Sequence, residues 1–480
     1  MSKPMQSRRN FLGSMLSLAG GTAIPFSMNL AAMSSAAAAT ASDYKALVCV
    51  FLTGGNDGFN TVLSTDPESW ASYSKYRTTA SADSIALGQG SAYSSLLPIA
   101  PTTAQAGRSF ALHPSMTAMR DLFNNGNLAV VANVGTLIQP TTKAEFHARS
   151  VPLPSKLFSH NDQQAVWQSN QPEGSNTSGW GARMVEMLAA ANANSSFAAV
   201  STSGNSTFLS GRMLRQLQFA GTSIPAIKNL SGPLFGSTLA ANTLRDIITA
   251  DSTDLIQKEH AAVARNAITT QAAASTAMLP IGAGGVVDPS WYVNPNTGVA
   301  SVNPLAVQLQ TVARMIGGRN TLGMKRQVFY VSIGGFDTHD KQRTHQADLL
   351  AQLSHAMRYF NAVLYSLPGG DMTKQVTLFT ASDFGRTFTS NGDGTDHGWG
   401  SHHFVMGGAV KGKDIYGTMP AVGIGHKNDA GSGALLPAIS VDQYGATLGS
   451  WFGLSATETA DVFPNIGNFS TRNLGFMNAV

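Results

Sequence analysis

The chain has 480 residues, and its 31 basic and 27 acidic residues give a formal net charge of +4 at pH 7. Three of the basic residues lie in the first 41 positions. The rest is therefore nearly neutral and has no basic run, which argues against nucleic-acid binding. The single cysteine, Cys49, excludes an intramolecular disulfide.

The first 41 residues have the pattern of a cleaved twin-arginine export signal. A Ser-Arg-Arg-Asn-Phe-Leu motif at residues 7–12 is followed by a weakly apolar stretch and by the small-x-small cleavage site Ala39–Ala41. Gly20, Gly21 and Pro25 disfavour the alternative, a membrane anchor. We therefore expect a mature protein that is periplasmic or secreted and has no stable membrane span.

Buried-strand patterns alternate with helical patterns along the mature chain. We predict strands at Lys45–Thr53, Leu128–Val134, Phe197–Ser201, Gln327–Ile333, Val376–Thr380 and His403–Met406. The longer helices are predicted at Pro114–Asn124, Gly181–Asn192, Ser237–Ile248, Asp254–Ala277, Leu305–Ile316, Gln342–Leu367 and Gln443–Trp451. Residues 66–110 look like a loop. This alternation predicts one α/β domain over residues 42–480, with a mostly parallel central sheet, helices on both faces and a helical cap inserted at about 205–300.

Three phrases near predicted strands hold the residue types of a hydrolytic metal site. They are Gly334–His339, Ser382–Arg386 and Asp396–His403, and six of the chain's 11 histidines lie between Asp337 and His403. Loops at strand ends collect ligands and catalytic groups in α/β proteins. Because Asp and His are common ligands of catalytic divalent ions, the sequence predicts a metal site. We expect zinc, with manganese or calcium as alternatives.

Each residue in these phrases has a structural alternative. Asp337 and His339 can point to one side of an extended turn and share an ion, or Asp337 can cap the following helix. Asp383 is a candidate ligand and Arg386 a candidate holder of an anionic substrate, unless the two form a salt bridge within the loop. His397 is a candidate ligand.

The third phrase contains two further assignments. Adjacent residues entering a strand point to opposite faces, so only one of His402 and His403 is expected to face the site. We select His402, as a ligand or as the acid that protonates the leaving group. Asp396 is expected to orient His397.

Two candidates come from the first third of the chain. Asp57 follows the first strand, between glycines that would let the backbone approach a ligand, and is a candidate metal ligand or else part of a turn. Ser159 opens a helical pattern and is a candidate nucleophile, because a metal and the helix N-terminus would lower the pKa of its hydroxyl. The alternative is a plain N-cap. His160 enters the prediction only as the neighbour of Ser159.

The order of these residues resembles that of the alkaline phosphatase superfamily. Its enzymes carry a strand-end Asp, a Ser or Thr nucleophile that opens a helix, an Asp with a nearby His, an Asp-His pair and a final His. The matching residues here are Asp57, Ser159, Asp337 with His339, Asp383, and His397 or His402. The phrases Gly-Gly-Asn-Asp-Gly, Phe-Asp-Thr-His, Ser-Asp-Phe-Gly-Arg-Thr and Thr-Asp-His-Gly-Trp-Gly resemble a twin-arginine-exported family of unknown function, numbered 1501, that is commonly placed in this superfamily.

The resemblance implies an alkaline phosphatase-like fold and an exported metal-dependent hydrolase of phosphate or sulfate esters. The implied metal ligands are Asp57, Asp337, His339, Asp383 and His397, and the implied catalytic residues are Ser159, Arg386 and His402. Phe384 stands where the superfamily has the His of its Asp-His pair, so we expect one ion or a rearranged pair. The same Phe384 favours the alternative, a non-catalytic exported protein that binds an envelope polymer or a partner.

Overall fold

A computed structural model describes residues 43–88, 95–173, 177–219, 221–230, 232–282 and 284–478; the predicted export signal lies outside them. The strands are β1 (Lys45–Leu52), β2 (Val62–Ser64), β3 (Leu97–Ile99), β4 (Phe110–Leu112), β5 (Leu128–Gly135), β6 (Ala199–Ser201), β7 (Leu217–Gln218), β8 (Tyr292–Val293), β9 (Ala300–Ser301), β10 (Arg326–Ile333), β11 (Val376–Ser382), β12 (Arg386–Ser390), β13 (Thr395–His397), β14 (Ser401–Met406), β15 (Ile415–Tyr416) and β16 (Ile439–Ser440). The helices are α1 (Gly58–Thr61), α2 (Pro67–Arg77), α3 (Thr117–Asn124), α4 (Lys143–Ala148), α5 (His160–Ser169), α6 (Trp180–Met187), α7 (Thr238–Thr249), α8 (Leu255–Ala277), α9 (Pro304–Gly317), α10 (Gln342–Tyr365), α11 (Val441–Phe452) and α12 (Ala456–Val462).

The central sheet has nine strands in the order β15-β5-β14-β11-β1-β10-β6-β7, with β16 also paired to β5. Its pairs are parallel except those of β14, which runs antiparallel to both β11 and β5. This confirms the predicted α/β class and the mostly parallel sheet. The antiparallel β14 was not foreseen.

Helices cover both faces of this sheet. Every residue of β1 is buried, and successive side chains of a strand point to opposite faces, so neither face of β1 is open to water. One group of helices, α3, α9 and α10, packs together and against β5 and β10. A second group, α5, α6, α11 and α12, packs together and against β1, β5 and β10.

Two segments differ from the simple sequence pattern. The loop predicted over residues 66–110 contains α2, which begins after its N-cap Asp66 and has Pro67 in its first turn. Between β6 and β10, where we expected a helical cap, α7 and α8 pack on each other, but β7 joins the edge of the central sheet. None of the helices in the described ranges is both long enough and apolar enough to cross a membrane.

The sheet brings the predicted phrases to one edge. Leu52, the last residue of β1, is in register with Ile333 of β10 and with Ser382 of β11, so the loops after these three parallel strands start side by side. Because β14 runs the other way, it begins at this same edge, and Ser401 pairs with Val134 near the end of β5. The topology therefore collects the loops of residues 53–57, 334–341 and 383–400 in one place.

Candidate metal centre

Three side chains from distant parts of the chain converge at this edge. Potential ligand atoms of His160, Asp337 and His397 all lie within 4.8 Å of one another. The Nε2 atoms of His160 and His397 are 3.0 Å apart. Asp337 Oδ2 lies 3.3 Å from His160 Nε2, and Asp337 Oδ1 lies 3.4 Å from His397 Nε2.

A fourth side chain, His339, contacts two members of this group. Its Nε2 lies 2.9 Å from His397 Nε2 and 3.0 Å from Asp337 Oδ1. The side chains of Asp337 and His339 are 45% and 44% exposed, whereas that of His397 is 26% exposed. We call these four residues, His160, Asp337, His339 and His397, the His/Asp cluster. It opens to solvent on the side of Asp337 and His339.

The far nitrogen of each imidazole faces an oxygen of the protein. His160 Nδ1 lies 2.9 Å from Asp383 Oδ2, and His397 Nδ1 donates to the carbonyl oxygen of Phe158 over 2.7 Å. His339 Nδ1 lies 3.4 Å from Asp396 Oδ1. Partners of this kind on the outer nitrogen hold metal-binding imidazoles in orientation.

The carbonyl that holds His397 comes from a strained position. Phe158 has a φ of +70°, in the left-handed region that a bulky side chain rarely adopts. Such strain persists only where the surrounding structure imposes it, and it is concentrated at functional sites. The strained turn points the Phe158 carbonyl oxygen at His397 and leads directly into α5, whose first residue is His160.

The buried side chain of Arg386 forms an ion pair with Asp337. Its Nη1 donates to Asp337 Oδ1 over 2.8 Å and to the carbonyl oxygen of Gly54 over 3.3 Å, and its Nη2 donates to the carbonyl oxygen of Thr395. Burial alone would raise the pKa of the Asp337 carboxyl, but the hydrogen bond and charge of Arg386 lower it below its usual value. Asp337 is therefore a carboxylate at neutral pH.

The imidazoles of His160 and His397 differ electrostatically. The hydrogen bond to Asp383 is the largest influence on His160 and raises the pKa of this ring above its usual value, against the effect of burial. Burial lowers the pKa of His397, and the charge of His160 lowers it further. His397 therefore offers an unprotonated Nε2 at neutral pH. His160 must lose its proton before its Nε2 can bind a cation.

The ring of Phe384 closes one side of the cluster. Its centroid lies 4.7 Å from that of His160 and 4.9 Å from that of His397. Gly55 has a φ of +86°, and a Cβ atom there would lie 2.6 Å from the Phe384 ring. A Cβ atom on Gly54 would lie 2.3 Å from the backbone nitrogen of Asp337. These two glycines let the first loop pass close to the other two loops.

Asp57, predicted as a ligand, takes no part in the cluster. Its buried carboxylate forms an ion pair with the equally buried Arg77. It also accepts hydrogen bonds from the Phe59 backbone N–H, as the N-cap of α1, and from Gln342 Nε2. This corrects the expectation that Asp57 binds metal, because the charge of its carboxylate is already neutralised within the protein. Asp57 is instead a helix N-cap and the partner of Arg77.

The three predicted catalytic residues have other surroundings. Ser159 is the N-cap of α5, and its hydroxyl donates to Asp162 Oδ2 over 2.7 Å. Arg386 is buried and donates to Asp337 Oδ1 over 2.8 Å. His402 is buried, its Nδ1 accepts from the Asn133 backbone N–H, and burial lowers its pKa to about 4.

The remaining predicted residues differ in how close they lie to the cluster. Asp337, His339 and His397 lie together in the cluster, whereas Asp383, also predicted as a ligand, contacts it through His160. We had predicted that Asp396 orients His397, but Asp396 Oδ1 lies 3.4 Å from His339 Nδ1, and His397 Nδ1 donates to the Phe158 carbonyl oxygen. His160 was missed as a candidate ligand. Its only sequence signal is its place directly after a helix N-cap, where the first turn fixes the direction of the side chain.

Comparisons with known proteins give a family and a weak structural likeness. The profile of a family described as "Protein of unknown function (DUF1501)" matches residues 44–438. No curated protein matches the sequence. The structure titled "Crystal structure of Ps i-CgsB in complex with k-i-k-neocarrahexaose" shares 8% identity at a TM-score of 0.35, over 90% of this chain and 78% of that chain. "Crystal structure of Ps i-CgsB" shares 10% identity at a TM-score of 0.34, with the same coverage. TM-scores this low support no argument about the site.

Proposed function

We propose a function from the chain's own residues, because the chain belongs to DUF1501, a family of proteins of unknown function. In this proposal the protein is exported by the twin-arginine pathway to the periplasm or medium. It has an alkaline phosphatase-like fold and hydrolyses phosphate or sulfate esters with one divalent ion held by the His/Asp cluster. The convergence of three imidazole Nε2 atoms on one carboxylate carries the proposal.

The distances within the cluster fit a bound ion. Ligand atoms at the usual distances from a tetrahedral zinc ion lie about 3.3 Å from one another. The separations from His160 Nε2 and His397 Nε2 to the Asp337 oxygens are 3.3 and 3.4 Å. The separations between the neighbouring imidazole Nε2 atoms, and from His339 Nε2 to Asp337 Oδ1, are 2.9 to 3.0 Å, so these atoms would move apart by a few tenths of an ångström around an ion. A set rich in imidazole nitrogen favours zinc over calcium, which prefers six to eight oxygen ligands.

The charges of the site also favour a cation. The carboxylates of Asp337, Asp383 and Asp396 face the buried guanidinium of Arg386 and the imidazoles of the cluster. With neutral imidazoles, three negative charges against one positive charge leave two to be balanced. One divalent ion balances them.

An ion bound here would polarise an ester oxygen and lower the pKa of a water molecule. The protein's own groups would supply the rest. Asp337 is fixed by Arg386, Phe384 excludes water from one side, and the open side beside Asp337 and His339 admits substrate. The nucleophile in this proposal is water, because the Ser159 hydroxyl is engaged with Asp162.

One observation favours a second function, a non-catalytic exported protein that binds an envelope polymer or a partner. The guanidinium of Arg386, which we expected to hold an anionic substrate, donates to Asp337, Gly54 and Thr395 instead. In this second proposal the ion is structural, or it is itself the group that contacts the ligand.

Turnover distinguishes the two functions. Zinc-loaded mature protein should hydrolyse members of a panel of aryl phosphates and aryl sulfates, and Asp337→Asn should abolish the activity. Asp340→Asn is the matched control, because Asp340 is an exposed carboxylate in the same loop, and it should keep the activity. Stoichiometric zinc without turnover on either ester class would contradict the hydrolase and favour the binding protein.

A further inference from the structure

Asp383 is held firmly at the end of β11. Its side chain is 1% exposed, and its Oδ1 accepts a hydrogen bond from the Gly54 backbone N–H over 3.2 Å. Its Oδ2 lies 2.9 Å from Nδ1 of His160. Both carboxylate oxygens of Asp383 therefore have a protein partner. The Oδ2 atom contacts the cluster through the imidazole ring of His160.

This contact decides which nitrogen of His160 carries the proton. An ionised carboxylate only accepts hydrogen bonds, so His160 Nδ1 must be the donor. In the neutral ring Nε2 then has the free lone pair, and that atom faces Asp337 and His397 at 3.3 and 3.0 Å. Without Asp383 the ring could take the other tautomer or rotate away.

The next residue completes the hold on the same ring. Phe384 packs against His160 at a centroid distance of 4.7 Å and an interplanar angle of 39°. Asp383 fixes the tautomer of His160, and Phe384 limits the tilt of the ring. These two consecutive residues thus contact the same imidazole ring, one by a hydrogen bond and the other by ring packing.

We propose that Asp383 is a positioning residue and not a metal ligand: it acts on the ion only through His160, with Phe384 supporting the same ring. This inference rests on the proposed metal centre. It gives a physical reason for the phrase Asp383-Phe384, in which an aromatic side chain supports a histidine supplied by another segment, α5. It also explains how His160, whose only sequence signal is its place after the N-cap Ser159, is held as a ligand of the ion.

A double-mutant cycle on zinc affinity tests the proposal. Titration of the metal-free protein with Zn²⁺ gives the affinity of the wild type, Asp383→Ala, His160→Ala and the double variant. Loss of a partner behind a ligand typically weakens metal affinity by about 10- to 100-fold, which we expect for Asp383→Ala. In the His160→Ala background the same change should have almost no further effect, because its route to the ion is already gone.

A spectroscopic readout separates positioning from general damage. With Co²⁺ as the probe, Asp383→Asn should keep the position and intensity of the visible bands, since the coordinating atoms are unchanged. Asp337→Asn should change both. Thermal unfolding of the metal-free variants shows whether the fold survives.

Each outcome has a defined meaning. Independent, multiplying losses of zinc affinity in the cycle, or altered cobalt bands in Asp383→Asn, would make Asp383 a ligand and overturn the inference while leaving the metal centre intact. A wild-type protein that binds neither ion would overturn both this inference and the proposed function. Ester turnover is not needed for either readout, so a catalytically silent protein still gives a decisive result.

Discussion

At the scale of single residues, the contact between Arg386 and Asp337 shows how burial and exposure are divided in the cluster. The guanidinium is fully buried, whereas the carboxylate is 45% exposed, so one group is fixed and the other is available to a ligand. Arg386 therefore orients Asp337 through Oδ1, and the other oxygen, Oδ2, lies 3.3 Å from His160 Nε2.

Replacing Arg386 should weaken metal binding. Arg386→Met keeps much of the side-chain volume but removes the hydrogen bond that orients Asp337, so we expect zinc affinity to fall by about 10- to 100-fold. Arg343→Met is the control, since Arg343 donates to the Ala82 carbonyl oxygen, lies 3.7 Å from the Asp83 carboxylate and is outside the cluster. Calorimetric titration with Zn²⁺ measures both. Equal affinities of the two variants would rule out the positioning role of Arg386.

Asp442, remote from the cluster, should make stability depend on pH. Burial raises the pKa of this carboxyl from 3.8 to about 7. The folded protein therefore holds the proton more tightly than the unfolded chain. This contribution to stability is fully present below about pH 3.8 and is lost as the pH rises through about 7.

The change Asp442→Asn removes this titration. The amide oxygen can still accept from the Asn465 backbone N–H, which the native carboxylate does over 3.1 Å. We expect the melting temperature of the variant, relative to wild type, to increase between pH 5 and pH 8. Thermal unfolding at several pH values between these limits measures it. A difference that does not vary with pH would contradict a raised pKa in the folded state.

At the scale of elements, three loops must lie close together for the cluster to form, and Gly55 permits this. Gly55→Ala and Gly126→Ala both place a Cβ at a positive φ, +86° and +78°, but only the first meets a neighbour, the Phe384 ring. We expect both to lose about 1–2 kcal/mol from backbone strain. Only Gly55→Ala should also weaken zinc binding, because Phe384 must shift against His160. A loss of zinc affinity in Gly126→Ala would show that strain alone is responsible.

The side chain of Gln342, at the start of α10, links the same loops. Its Nε2 donates to Asp57 Oδ2 over 2.6 Å, and its Oε1 accepts from the hydroxyls of Thr338 and Thr395. Thr338 lies between the two cluster residues of its loop, and Thr395 opens β13, which ends at His397. One buried amide thereby ties together the loops that supply three of the four cluster residues.

Gln342→Met should affect both stability and metal binding. Each buried polar group left without a partner costs about 1–3 kcal/mol, and zinc affinity should fall because both loops lose a common anchor. Gln352→Met, on the same helix, removes only a hydrogen bond to Asp348 and serves as the control. Denaturant unfolding and zinc titration measure the two effects. A stability loss with unchanged zinc affinity would limit Gln342 to a structural role.

At the scale of the whole molecule, six of the nine strands of the central sheet were predictable because they follow from local patterns, whereas the short strands β7, β15 and β16 were not. The runs that became β1, β10 and β11 are mainly apolar, and the phrases after β10 and β11 contain Asp337, His339 and Asp383. The direction of β14 was not predictable, because its sequence is equally compatible with parallel and antiparallel pairing.

The errors concern contacts between residues far apart in the chain. His160 meets His397 across 237 positions, and no local pattern contains that information. Asp57 was predicted as a ligand because it follows the first strand at the same sheet edge as the other phrases, but its carboxylate pairs with Arg77, 20 positions later in the chain. The burial of each residue separates these roles. The buried Asp57 and Arg386 have ionic partners within the protein, whereas Asp337 and His339 are exposed.

The central claim is that the His/Asp cluster binds one divalent ion. Elemental analysis of the untagged mature protein tests it most directly, with thermal unfolding of each sample in parallel. We predict about one zinc ion per chain in the wild type, and little or none in Asp337→Asn or His160→Ala, while the control Asp340→Asn keeps its zinc. Wild-type protein that is folded with normal stability, contains no metal and takes up none from excess Zn²⁺ would contradict the claim.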